Sequence, residues 1–348
     1  METSTGRAFR LPVLAVPVGL VLLAGSLLIA ISFGSSDIPF GAVVTELAGA
    51  IPGIGVESGL TEAERTILWQ WRLPRAVLGA LVGAALSLGG ATYQGVFRNP
   101  LADPYLLGVA AGGGLGATLA IVSGADVGWG PFHAVPAAAY IGALVAITVS
   151  AGVGFGTSRS AASLLLAGVA VSAFLTAVQT YVMQRNTDIL VEVYTWILGR
   201  LGTFGWSEVT MLGPYVAICA AVILSLRRQI DVLQLGDEEA TALGVPVVRL
   251  RLILIATASL MTAAAVAVSG LIGFVGIVVP HAVRLVVGGT YRTVLPLSAI
   301  GGAVFLVLAD VGARNAATGA ELPIGVVTAF LGAPFFAFIM WSRRGSFR

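Results

Sequence analysis

Charge is scarce in this chain. Its 348 residues include 19 basic and 17 acidic ones, 10% of the total, where a soluble domain carries about 25%. A water-facing surface cannot be built from so few charges over this length. That excludes a soluble enzyme, a disordered segment and a nucleic-acid binder of the usual kind. Lysine is missing altogether, and all 19 basic residues are arginine. The single cysteine, Cys219, lies in an apolar run. It permits no intramolecular disulfide and no cysteine metal cluster, and reads as a small buried hydrophobe. What is present is apolar: 57% hydrophobic residues and a further 45 glycines. The composition fits an all-α, polytopic membrane protein forming one transmembrane domain over 1–348.

The apolar runs count to ten. The first, Leu11 to Phe33, is too long for a signal-peptide core and reads as a span. The others fall near 73–97, 104–124, 131–153, 161–183, 208–226, 248–270, 272–288, 294–312 and 323–341. The eighth is short and glycine-rich, and reads as a broken or partial crossing. Each must be helical, because backbone groups exposed to lipid find no water partner. Ten spans place both termini on one side. With the termini inside, 13 of the 19 arginines are cytoplasmic and 11 of the 17 acids are outside. This is the positive-inside pattern, and nine or eleven spans would spoil it. The expected location is the cytoplasmic (inner) membrane, with both termini cytoplasmic and lipid around the bundle. Gly79 with Gly83 and Gly112 with Gly116 have the spacing that lets helix backbones approach in lipid. Gly270, Gly273 and Gly276 point to close packing or a break.

Three connections are more than turns. Residues 34–72 form a long extracytoplasmic connection, helical from Thr61 to Trp71, with Trp69 and Trp71 as interfacial anchors. A second outer connection, Arg185 to Glu208, carries Trp196 and Trp206, with a short surface helix expected at Ile197 to Leu201. The inner segment 229–247 is too polar to span. Asp237, Glu238 and Glu239 open a short helix where acidic groups suit the dipole, and Gly244 with Pro246 ends it. Leu233, Leu235, Ala240 and Leu243 supply apolar contact, so the segment reads as a docking element; the plainer alternative is a loop lying on the bundle. Arg98-Asn99-Pro100-Leu101-Ala102-Asp103-Pro104 reads as a tight cytoplasmic turn.

The chain also lacks chemistry of its own. Without lysine there is no Walker motif, and no metalloprotease motif or paired-carboxylate arrangement occurs. The two histidines, His133 and His281, read as structural. Asp310, at the outer end of the ninth run, is the nearest acid to a span interior. Ion-coupled transporters place polar or charged groups, or clearly broken helices, at the midplane. Their scarcity here favours a permease powered from outside over an ion-coupled secondary transporter or a membrane scaffold.

Three blocks carry a resemblance. The first is Arg72-Leu-Pro-Arg75, then Gly83 to Gln94, then Arg98 to Pro104. The second is Gly236-Asp237-Glu238-Glu239-Ala240 with Leu243-Gly244, beside Leu235 of the docking segment. The third is Gly270 to Gly276, Pro280-His281, Arg284, Ala309-Asp310, Ala313-Arg314, Glu321-Leu-Pro323-Ile-Gly325 and Gly332-Ala-Pro334. In that order, from about Trp69 to Trp341, the chain resembles the membrane permeases of ATP-driven importers for cobalamin, ferric siderophores and haem.

The resemblance implies a ten-helix bundle like that of cobalamin-importer permeases, in a dimer with a second permease subunit, with the pathway between the two. It implies two cytoplasmic ATPase subunits docked on about 232–244, with ATP and magnesium held there and no cofactor or metal in this chain. An extracytoplasmic binding protein would present acidic residues to Arg72, Arg75 and Arg314, for which lipid contact or local pairing is the plainer role. Thr157 and Ser158 fall at the family's cytoplasmic gate. Gln94, Arg98, Asn99, Pro100, Pro280, His281, Glu321 and Pro323 are its structural motif. The expected cargo is an iron chelate, a ferric siderophore or haem, with cobalamin as the alternative. Arg200, where many relatives have a small residue, adds an outer charge.

Overall fold

The computed structural model describes residues 12–34, 38–52, 56, 58–124, 133–157, 161–202, 205–316 and 321–342. In chain order the α-helices are α1 (Pro12–Ser32), α2 (Phe40–Gly49), α3 (Glu62–Thr66), α4 (Leu73–Phe97), α5 (Val109–Val122), α6 (Ala134–Thr157), α7 (Ala161–Arg185) and α8 (Leu190–Ile197). They continue with α9 (Ser207–Ser225), α10 (Arg227–Leu233), α11 (Asp237–Ala242), α12 (Val247–Ser269), α13 (Val275–Val287), α14 (Tyr291–Asn315) and α15 (Ile324–Ser342).

Seven helices among the described residues are long and apolar enough to cross a membrane, namely α1, the helix through α4, α6, α7, α9, α12 and α14. The three other expected crossings, α5, α13 and α15, are apolar but shorter by that measure. The cause is local. The third run opens as a 3-10 turn at Pro104–Leu107, and Gly108 at φ 86 breaks it before α5 begins. Its 14 residues reach about 21 Å, short of a hydrocarbon core about 30 Å thick. The eighth run starts with a non-helical link, Gly270 to Phe274, whose two ends both have positive φ. The Tyr105 hydroxyl satisfies that link, donating to the Ile272 carbonyl at 3.1 Å and accepting from the Ile272 amide at 3.2 Å. Irregular backbone at membrane depth persists where protein covers it.

The helix at the end of the outer connection is continuous with the second span. Thr61 caps it through a reciprocal pair with Glu64, and a π-helical turn at Ile67–Arg72 joins α3 to α4. The short helix after α7 lies at Leu190–Ile197 rather than at 197–201. Gly199 at φ 78 ends it, and Arg200 N donates to Ser269 O instead. Trp71 is exposed, as expected of an anchor, but Trp69 turns inward and donates to Glu46 at 3.1 Å.

Burial separates centre from rim. In the spanning windows, 78% of residues are buried through α4 and 72% in α12, but only 22% in α6, α7 and α9. So α4 is the axis. It packs on α14 through Gly83 and Gly302, where a methyl on either would overlap the other's carbonyl. Gly112 and Gly116 bring α5 equally close to α6.

Candidate functional site: an outer ion cluster and an inner coupling element

At the outer end the three arginines of the first and third blocks converge on α1, α4 and α14. Arg72 is buried and donates to the Ile31 and Ser32 carbonyls, both at 3.0 Å. It thereby caps the C-terminal end of α1, where carbonyls lack helical partners and a cation suits the dipole. Arg75 spans two carboxylates, reaching Asp310 at 2.9 Å and Glu321 at 2.9 Å. Arg314 pairs with Asp310 at 3.0 Å and donates to Phe33 O and Ala30 O, each at 3.1 Å. Local pairing is thus what the structure shows for all three. Asp310 is 3% exposed and held between two guanidiniums.

A second outer hub is absent from the motifs. Glu46 on α2 accepts from Ser58 Oγ and Trp69 Nε1 and pairs with Arg65 at 2.9 Å. The Ser58 hydrogen bond, followed by those from Trp69 and Arg65, holds its carboxyl below the usual value. These contacts pin the 34–72 connection onto the helix beneath it. The readable sign was an acid and a tryptophan inside one polar connection.

Between the outer turn after α8, the Gly270–Phe274 link and α15 lies an apolar groove of about 630 Å³, lined by Ile197, Leu198, Leu271, Val326, Phe330 and Pro334. Arg200 and Glu192 instead line a smaller, more polar cavity of about 250 Å³ beside Trp196.

At the inner end, the coupling segment forms two short helices, α10 and α11. Its acids separate by direction. Glu238 and Glu239 are exposed. Asp237 turns back to the bundle, where Arg251 grips both its oxygens at 2.8 Å and Arg98 reaches it at 3.1 Å. The apolar contacts separate too: Leu233 and Ala240 are buried in the core, while Leu235 and Leu243 are more than 60% exposed. Gly236 and Gly244 have φ of 133 and 82 and mark the turns on either side of α11.

Part of the motif, Gln94 to Pro100, is brought together at the inner end of α4, while Glu321 joins the outer cluster. Gln94 donates to Gly276 O at 3.0 Å and accepts from Arg284. The Asn99 side chain accepts from Leu101 N at 2.9 Å, closing the turn around Pro100. Pro280 lies inside α13, and His281 is buried with its ring edge-on to Phe335. At the other end of the chain's third block, Pro323 starts α15, its carbonyl accepting from Val326 N at 3.1 Å. Thr157 is the last residue of α6, and Ser158 lies outside the described residues. Among the described residues no group of His, Cys, Asp or Glu is arranged to hold a metal.

The fold and these two ends define a multi-pass helical membrane protein with no nucleotide site of its own. The comparisons make the class specific. The model of the FecCD transport family matches residues 21–342. The chain is 42% identical to the cobalamin import system permease of Halobacterium salinarum, over 95% of this chain and 86% of that one. It is 35% identical to the Fe(3+)-citrate import system permease of Bacillus subtilis, over 97% of both. A solved inward-facing metal-chelate-type ABC transporter superposes with a TM-score of 0.81 at 28% identity, covering 94% of this chain and 98% of that one. The chain belongs to the FecCD transport family. It is an inner-membrane permease subunit of an ABC importer, and ATP hydrolysis belongs to a separate subunit.

Proposed function

We propose that this permease carries a corrinoid, delivered by an extracytoplasmic binding protein and driven by two cytoplasmic ATPase subunits. The observation carrying the substrate is the 42% identity to a cobalamin permease along nearly the whole chain, against 35% for a ferric-citrate permease. That ordering favours the cobalamin alternative over the expected iron chelate. The metal-chelate-type transporter of like fold keeps iron chelates as the second reading.

The partners follow from the two ends. Glu238, Glu239, Leu235 and Leu243 form an exposed acidic and apolar surface suited to an ATPase subunit. Arg75, still 22% exposed in its side chain, and Arg314 offer positive charge to acidic lobes of a binding protein; Arg72 serves beneath them by fixing α1. The apolar groove along α15 faces a second copy of the chain, with the pathway between the copies and closure below at Thr157 and Ser158. Both termini lie in the cytoplasm. The test is uptake into proteoliposomes holding the assembled complex, with cobalamin, haem and ferric citrate offered in parallel. Cobalamin accumulation is the expected result; accumulation of an iron chelate alone would contradict the substrate assignment.

A further inference from the structure

The coupling segment meets the bundle through two aspartates. Asp231 on α10 accepts from Tyr291 N at 2.6 Å and pairs with Arg292 at 3.6 Å. Asp237 on α11 joins Arg251 of α12 and Arg98 at the end of α4. Gln234 between them donates to Gly95 O at 3.0 Å. The segment is thereby tied to α4, α12 and α14, the three most buried spans.

Arg98 is the informative member. It caps α4 in the left-handed conformation, φ 50 and ψ 37. That place favours glycine, because a side chain is strained there. The chain keeps an arginine nevertheless, and its guanidinium is what reaches Asp237. One turn earlier Gln94 bonds Gly276 O and Arg284. Contacts therefore run from α11 through the end of α4 to α13, which begins at the irregular Gly270–Phe274 link bordering the α15 groove.

We propose that Asp237 is a positioning residue: the joint that transmits movement of the coupling helices to α4 and α12, while Glu238 and Glu239 make the outward contact. This rests on the reading of about 232–244 as the ATPase surface. The two-pronged pair with Arg251 fixes orientation as well as distance, as a joint requires and a simple tether does not. The Arg98 side of the joint is partly solvated, with side-chain exposures of 45% for Asp237 and 39% for Arg98, while Arg251 is 15% exposed. Exposed pairs contribute little to stability, so Arg98→Gly should leave the fold in place, and Asp237→Asn keeps an amide oxygen as acceptor for Arg251.

The experiment uses the full complex in proteoliposomes and reads cobalamin imported per ATP hydrolysed. Arg98→Gly relieves backbone strain, so a purely structural role predicts an unchanged or sturdier complex with full coupling. The joint predicts that the ATPase subunits still co-purify while the ratio falls at least tenfold. Asp237→Asn should lower the ratio similarly, and Asp237→Glu should restore part of it. Full coupling in Arg98→Gly, or loss of the ATPase subunits in Asp237→Asn, would overturn the proposal. A wild-type chain that recruits no ATPase would instead overturn the functional reading itself, and would do so before any substitution is made.

Discussion

At the outer surface two carboxylates share Arg75, yet they should respond differently to mutation. Asp310 is buried between two guanidiniums. Removing it strands buried positive charge, at a cost of about 3–5 kcal/mol. Asp310→Ala is therefore expected to lower the thermal unfolding midpoint of the purified protein markedly. Glu321 is 59% exposed, and its pair is worth less than about 1 kcal/mol. Glu321→Gln should hardly move that midpoint. It should instead strengthen binding-protein docking several-fold, measured by surface binding to the permease in nanodiscs, because Arg75 then has one less internal carboxylate. The sequence reading puts Arg72, Arg75 and Arg314 at the same end of the bundle, where the structure brings them together. Their pairing was not legible, because the acids lie 235 and 246 positions along the chain from Arg75, and one sequence does not report such contacts.

Among elements, hydropathy locates helices well and their interruptions less well. All ten apolar runs contain a helix, but Gly108 and the Gly270–Phe274 link shorten two of them. A glycine in an apolar run reads equally as packing or as a break; Gly83 turned out to be the first and Gly270 the second. At Gly302 an added methyl meets the Gly83 carbonyl and the Ser87 side chain. Gly302→Ala should thus cost about 1–3 kcal/mol by overpacking, seen as a lower unfolding midpoint.

The outer connection carries a pH prediction. The Glu46 carboxyl is held below its usual value by Ser58, then Trp69 and Arg65. For an acid with a lowered folded pKa, the stabilisation is present above the ordinary carboxylate value, about 4.3. It is lost as pH falls through the lower, folded value. Protease cleavage of the 34–72 connection should therefore be slow at neutral pH and speed up as pH falls below the ordinary carboxylate range, and Glu46→Gln should be cleaved fast at neutral pH. Equal cleavage of both proteins at neutral pH would remove Glu46 as the pin.

For the whole molecule, the scarcity of charge tells more through its placement. Outer charges pair in one cluster around Asp310 and in a second around Glu46, and the inner ones split at α11 into a joint and an exposed surface. Asp310, inside α14 near its outer end, is paired with both Arg75 and Arg314. The central claim is that transport by this chain is driven by a partner's ATP hydrolysis. The most direct measurement is cobalamin uptake by proteoliposomes containing the permease, the ATPase subunits and the binding protein, with ATP inside or with a proton or sodium gradient alone. Accumulation that needs ATP and ignores the gradients is the result expected here. Accumulation driven by a gradient without ATP would contradict it.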